Sequence, residues 1–368
     1  MKIAVVLNTS WNIYNFRKGL VLSLMDKGNE VITIAPNDKY TQKLIELGCT
    51  HFPVKMDSRG ANPLKDFLLI FELYHIYRRQ KPDVILHYTI KPNIYGTIAA
   101  AMLGIPVVNN VCGLGTMFLK ENLVSRVAIM LYRIAFRFPK KIFFQNSDDL
   151  KLFMEKKIVR EEVCDLLPGS GINTRDFVPA DSKHVKKPFT FLLISRLIYD
   201  KGILEYIEAI DSLKNRGIDA KFQLLGPIDE KHKRGIPKAM IYDWIEKSQI
   251  EYLGVTEDVR TYIEKADCIV LPSYREGTPK TLLEAASMAK PIVATDVPGC
   301  RNVVIDGENG YLCAPKNSED LAKKMFDLYN LDSDKLQLMG SKGRQLVVDK
   351  FDEQVVIDKY HRTISKIH

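Results

Sequence analysis

The stretch Cys268-Ile269-Val270-Leu271-Pro272-Ser273-Tyr274-Arg275-Glu276-Gly277-Thr278-Pro279-Lys280-Thr281-Leu282-Leu283-Glu284 decides the fold. Its first residues are continuously apolar, as a strand buried on both faces of a parallel sheet must be. A polar turn follows, then a helix for which Thr278 is a good N-cap and Pro279 a good first residue. The same strand–turn–helix unit recurs on either side. Further strands are expected at Phe189–Ser195, Lys221–Leu225, Glu251–Leu253, Pro291–Asp296 and Tyr311–Cys313. The first half repeats the pattern at Lys2–Leu7, Glu30–Ala35, Thr50–Val54, Val84–His87, Val107–Val111 and Lys141–Gln145. Between the halves, Thr174 to Pro188 is rich in Asp, Lys and Pro and breaks the alternation. The expected architecture is α/β, with two doubly wound Rossmann-like domains facing across a cleft at the carboxyl ends of their strands. The domains span residues 1–175 and 189–351, with a linker over 176–188. A final helix over 352–368 is open to crossing back onto the first domain.

At 368 residues, with 46% hydrophobic and 27% charged, the chain has ordinary globular composition and more length than one core accommodates. Six dispersed cysteines without a C-x-x-C pair read as thiols in a reducing compartment. The apolar run after Met1-Lys2 is too short for a signal peptide, and no stretch reaches a membrane span, so a cytoplasmic protein is expected, peripheral at most on the inner face of the cytoplasmic membrane. The net charge of +8 is unevenly placed. Residues 1–175 hold 24 Lys and Arg against 15 Asp and Glu; the remainder holds 29 against 30. The excess peaks at Val124 to Lys141, where Arg126, Arg133, Arg137, Lys140 and Lys141 alternate with apolar residues and meet no acid. This reads as a basic amphipathic helix, suited either to an anionic bilayer surface or to a core position with a solvated rim. Nucleic acid is not expected, because no stacking platform accompanies the cations.

Three features of the second half point to one ligand. Arg196 and Lys201 follow a strand at its carboxyl edge. A guanidinium fork and a mobile ammonium there match the charge of an esterified diphosphate. Lys280 and Thr281 open the helix quoted above, so their N–H groups and the helix dipole favour an anion, while Gly277 lets the backbone come close. Glu276 lies in the loop, and Glu284 sits among Leu282, Leu283, Ala285 and Ala286. A carboxylate on so apolar a helix needs hydrogen-bond donors, which the paired hydroxyls of a sugar supply.

Arg196-x4-Lys201, Glu276-x7-Glu284, Lys290-Pro-Ile-Val-Ala-Thr-Asp296 and Asp306-Gly-Glu-Asn-Gly-Tyr311 together resemble the family-4 retaining glycosyltransferases of the GT-B fold. The resemblance implies that Arg196 and Lys201 hold the donor diphosphate. It implies that Glu276, Gly277 and Thr278 contact the donor sugar and that Glu284 binds the ribose. The implied co-substrate is a nucleoside-diphosphate sugar, with no cofactor. In the first half, Asn8 to Asn12 replace the Gly-Gly loop common in the family, and Val111 to Thr116 carry no histidine. Lys91-Pro-Asn-Ile-Tyr-Gly96 with Gly113-Leu-Gly115 is instead similar to the branch that builds glycans on polyprenyl diphosphate, N-acetylgalactosaminyltransferases among them. That similarity makes Asn15, Arg17, Lys91, Asn93, Gly113 and Gly115 candidates for the acceptor side.

Other signals carry less. Asp332-Ser333-Asp334 is formally a D-x-D, but its place between helices suits a cap. No His/Cys cluster exists in the sequence, so no metal is expected. Gly169-Ser170-Gly171 lacks the spacing of a dinucleotide fingerprint, and His87, at a strand end near the expected cleft, suits either acceptor binding or a hydrogen-bonded strand-edge role, the second more readily. A sugar-nucleotide 2-epimerase and a non-catalytic sugar-binding module are the alternatives.

Overall fold

A computed structural model describes residues 1–57, 63–114, 123–180, 188–230, 232–247 and 249–367. The chain forms two compact units, one of residues 1–170 with 353–368 and one of residues 171–352. In the first unit the strands are β1 (Lys2–Val6), β2 (Glu30–Ala35), β3 (Thr50–Pro53), β4 (Val84–Tyr88), β5 (Val107–Val111), β6 (Lys141–Phe144) and β7 (Cys164–Leu166). They form one parallel sheet in the order β3-β2-β1-β4-β5-β6-β7. Its helices are α1 (Ser10–Asp26), α2 (Thr41–Glu46), α3 (Pro63–Gln80), α4 (Thr97–Ala101), α5 (Leu123–Ala135) and α6 (Ser147–Glu155). A π-helical turn over Pro92–Gly96 precedes α4.

The second unit holds β8 (Phe189–Ile194), β9 (Ala220–Leu225), β10 (Glu251–Tyr252), β11 (Cys268–Leu271), β12 (Ile292–Thr295) and β13 (Gly310–Cys313). This sheet is also parallel, in the order β10-β9-β8-β11-β12-β13. Its helices are α7 (Ile203–Asn215), α8 (Lys238–Glu246), α9 (Arg260–Lys265), α10 (Lys280–Ser287), α11 (Cys300–Val303), α12 (Ser318–Tyr329) and α13 (Ser333–Lys350). Strand order reverses between β1 and β4 and again between β8 and β11, and such reversals open a ligand crevice at the carboxyl ends of the strands.

The last helix, α14 (Glu353–Ile367), belongs to the first unit. Val356, Ile357, Tyr360 and Ile364 repeat at helical spacing and pack into one cluster with Ile13, Leu20, Val21 and Leu24 of α1.

Two boundaries differ from the sequence reading. The first unit ends at 170 rather than 175, because residues 171–177 are bound to the second. Ile172 donates its N–H to Phe351 O at 2.9 Å. The Arg344 guanidinium gathers the carbonyls of Thr174 and Phe177 at 2.9 and 2.7 Å. Part of the expected linker, 181–187, lies outside the described residues. The basic stretch over 124–141 is not one helix. α5 stops at Ala135, and after Pro139 the chain enters β6 at Lys141, whose ammonium donates to Cys164 O at 3.1 Å. Arg133 donates to Lys156 O at 2.7 Å. Two of the five cations are thus spent on the fold. Asp332 caps α13, accepting from the Lys335 N–H at 2.8 Å.

Replacing Ile357 by Ala removes a buried side chain from the α1–α14 contact and is expected to cost about 2–4 kcal/mol in the urea unfolding of the first unit. Val355→Ala, on the outer side of the same helix, leaves the midpoint within about 0.5 kcal/mol.

Candidate active site

In the second unit the site grows from two loops at the strand-order reversal. β8 ends at Ile194 and the chain passes through Ser195 and Arg196 to Leu197 and Ile198, which are buried and paired to Ile228 and Gly235. A single 3₁₀ turn, Tyr199–Lys201, leads into α7 through Gly202. Gly202 is left-handed, with φ +70°, and a Cβ there would lie 2.0 Å from Pro272 O at the end of β11. Only glycine permits that approach. Two more bonds join the same loops: Tyr274 N–H to Asp200 O at 2.9 Å and the Ser273 hydroxyl to the same oxygen at 3.2 Å. The result brings the Lys201 ammonium onto Glu276 Oε1 in a direct ion pair, with both side chains largely shielded from water.

A third loop backs this pair. Gly299, with φ +84°, lies so close to the Glu276–Gly277 backbone that a Cβ would meet Gly277 O at 2.3 Å. Glu276 N–H donates to Pro298 O at 3.3 Å. The helix α10 starts one residue later than the capping pattern suggests. Lys280 is its first residue, and Pro279 occupies the cap position with ψ 115°. The Thr281 hydroxyl donates to Ile194 O at 3.3 Å, which ties the helix start to the end of β8.

Glu284 is 8% exposed, and the Lys280 ammonium stands 3.7 Å from its Oε1. Burial pushes its carboxyl up to about 7, and Lys280 pulls it back. Arg196 is held least. Its side chain is half exposed, and its guanidinium reaches only to 4.0 Å from Asp229 Oδ2. The structure therefore gathers Lys201, Glu276, Gly277, Lys280, Thr281 and Glu284 around two loops and one helix head, with Arg196 on the adjoining strand end.

Sequence reasoning missed the supports. Pro298-Gly299 is a turn dipeptide that would have marked the third loop. Asp200 accepts from Arg234 at 2.6 Å, and the Tyr274 hydroxyl donates to Glu205 at 2.6 Å; neither pair has a spacing signal.

In the first unit the candidate acceptor residues are mostly engaged with the protein itself. Arg17 lies on α1, buried, with its guanidinium 4.5 Å from the Tyr88 ring centroid and 3.5 Å from Cys112 Sγ. No carboxylate pairs with it among the described residues. Lys91 forms a shielded ion pair with Asp66 at 2.6 Å, and Asn93 donates to Asn110 O at 2.9 Å. Asn15 donates to Trp11 O at 2.9 Å. Gly113 has φ +116°, and Gly115 lies outside the described residues. At the end of β4, Thr89 is left-handed, with φ +63°, a strained state for a β-branched residue and one found at functional turns. His87 is fully buried and hydrogen-bonded to Tyr77 and Asn109, and burial lowers its pKa to about 3. It is a core residue. No group of three or more His, Cys, Asp or Glu able to hold a metal occurs among the described residues.

Two parallel doubly wound sheets with these loops define a GT-B glycosyltransferase fold. HepE of Anabaena in complex with UDP-glucose superposes with a TM-score of 0.81 at 18% identity, covering all of both chains. A sucrose-phosphate synthase of Thermosynechococcus elongatus does so at 0.82 and 16%, over 100% and 99% of the chains. Residues 174–346 match the family described as "Glycosyl transferases group 1", and residues 2–146 match "Glycosyl transferase 4-like". The chain belongs to these family-4-like, group 1 glycosyltransferases. Over 100% of its length and 99% of the relative's it is 29% identical to the N,N'-diacetylbacillosaminyl-diphospho-undecaprenol alpha-1,3-N-acetylgalactosaminyltransferase of Campylobacter jejuni. It is 25% identical to the UDP-Gal:alpha-D-GlcNAc-diphosphoundecaprenol alpha-1,3-galactosyltransferase of Escherichia coli, over 82% and 80%. The epimerase alternative finds no support in these relatives.

A carboxyl whose pKa is higher folded than unfolded binds more proton in the folded chain. Its favourable contribution is present at acid pH and is lost as pH rises from about 4.5 through about 7. Glu284→Gln therefore gains on the native chain as pH rises. Between pH 5 and pH 8 the Tm difference is expected to move in the variant's favour by about 5 °C. A pH-independent difference contradicts this.

Proposed function

We propose that the chain transfers a hexosyl group, N-acetylhexosaminyl among them, from a nucleoside-diphosphate sugar to a hydroxyl of a polyprenyl-diphosphate-linked saccharide, with retention at the anomeric carbon. The observation that carries the reading is the Lys201–Glu276 pair at the strand-order reversal, beside the head of α10 and the buried Glu284. A diphosphate entering there competes with Glu276 for Lys201, adds Arg196, and frees the carboxylate for sugar hydroxyls. Uridine as the base and a lipid-linked acceptor agree with the UDP-glucose complex of HepE and with the names of the two bacterial relatives.

In this reaction the bond from the anomeric carbon to the diphosphate oxygen breaks, and the acceptor oxygen forms a bond on the same face. The acceptor proton passes to the departing diphosphate. Charge on that diphosphate grows toward the transition state, so cations fixed beforehand act on the transition state more than on the ground state. Arg196, Lys201 and the α10 dipole supply that charge from the chain's own groups, and we assign a metal-independent mechanism on that basis. Asn15, Arg17, Lys91, Asn93, Gly113 and Gly115 are assigned to the acceptor side, Lys91 and Arg17 as residues already oriented by Asp66 and Tyr88. The exposed cations Arg126, Arg137 and Lys140 are assigned to an anionic membrane surface, as suits a lipid-linked acceptor.

Lys201→Ala is expected to lower kcat about 10²–10³-fold at saturating donor. Turnover within about twofold of the native chain overturns the assignment. Chelation leaves the rate unchanged, and NMR of the product gives the donor's anomeric configuration. Inversion, or a rate restored only by added divalent cation, refutes the corresponding part.

A further inference from the structure

Helix α3 carries an apolar crest that the fold does not bury. Leu69, Leu73 and Tyr77 face the sheet and pack on Val6, Ile32 and Ile85. Leu64, Phe67, Leu68 and Phe71 point the other way, with Leu64 at 70% exposure and the two rings 5.1 Å apart, edge to face. Their spacing, i, i+3, i+4 and i+7, makes one stripe.

A second such stripe lies on the same face of the sheet. On α5, Tyr132 and Ala135 pack inward against Ile142 and Phe144, while Val127, Met130 and Ile134 are exposed. Val107 belongs to the α3 cluster and Val111 to the α5 cluster; four apart on β5, both point to one side. Tyr95, in the turn between, packs against both clusters. Exposed cations stand around the crests, among them Arg78 and Arg79 on α3, Arg126 on α5, and Arg137 and Lys140 beyond it, while Lys65 on α3 is paired with Asp57 at 3.1 Å and Arg133 on α5 is bonded to Lys156 O. The acids of these helices are spoken for. Asp66 pairs with Lys91, and Glu72 accepts the Lys55 N–H at 3.1 Å.

From this we infer that α3 and α5 together form the docking face for an anionic bilayer, with the α3 crest entering the acyl boundary and the cations meeting lipid phosphates. The charge balance selects the occupant. A second copy of this face would set like charges against like, whereas apolar stripes rimmed by cations fit an anionic interface. No described helix is long and apolar enough to cross a membrane, so the contact is peripheral. The inference extends the membrane assignment made above from the α5 segment to α3. Lipid binding is read without donor or acceptor, so it fails or stands apart from sugar transfer.

The test is co-sedimentation of the full chain with vesicles of phosphatidylcholine alone or with phosphatidylglycerol. The native chain is expected to bind the anionic vesicles. Phe67→Ser/Phe71→Ser lowers the partition at least about tenfold, with melting temperature and nucleoside-diphosphate binding unchanged. Leu64→Ser serves if the double variant melts early. Arg126→Gln/Arg137→Gln weakens binding and flattens its salt dependence. Unchanged partition of the α3 variants, equal binding to neutral vesicles, or a concentration-dependent dimer abolished by the α3 variants overturns the proposal.

Discussion

The second unit is organised around one ion pair, Lys201 with Glu276. Two opposite charges taken largely out of water cost desolvation that their attraction must offset. The pair persists only because both loops are immobilised. Gly202 lets the first loop press on Pro272, the Asp200 carbonyl receives two bonds from the second, and Gly299 backs the Glu276–Gly277 backbone. A site built this way has its charges in position before a ligand comes. In the proposed reading an entering diphosphate takes the place of Glu276 on Lys201, and the displaced carboxylate accepts from the sugar hydroxyls instead.

The first unit meets the opposite difficulty, polar groups buried toward the carboxyl ends of the interior strands β4 and β5. His87 is held uncharged by burial and bonded to Tyr77 and Asn109, and a side chain at Gly96 would strike both His87 and Tyr77. Arg17 lies over Tyr88 and beside Cys112, and Tyr360 of α14 accepts from Asn110 at 2.9 Å next to them. The crossing helix thus supplies part of the wall behind the candidate acceptor residues, and its loss would loosen more than the core.

The alternation of apolar strands and helices was legible in the sequence because a parallel sheet must bury both faces, and strand positions agree to within a residue or two at most edges. Arg196 and Lys201 were legible from their place at the carboxyl edge of a strand, Glu276 from its loop before a helix start, and Glu284 as a carboxylate on an apolar helix, where charge is costly. What escaped notice depends on tertiary contact. Asp66 is 25 residues from Lys91, Glu205 is 69 from Tyr274, and Gly299 acts through Gly277. The one-residue shift at α10 and the early end of α5 lie beside Pro279 and Pro139, and proline restricts the backbone on either side of it. The apolar crest of α3 reads in sequence as an ordinary core helix, since only the fold reveals which of its apolar sides is already satisfied.

The most direct test of the account is a crystal structure of the chain with a nucleoside-diphosphate sugar bound. The account predicts that the Lys201–Glu276 bond opens, with the Lys201 ammonium and Arg196 guanidinium on diphosphate oxygens, the phosphates at the head of α10, and the ribose hydroxyls on Glu284. A diphosphate bound elsewhere, with Lys201 still on Glu276 and Glu284 still facing Lys280 alone, contradicts it.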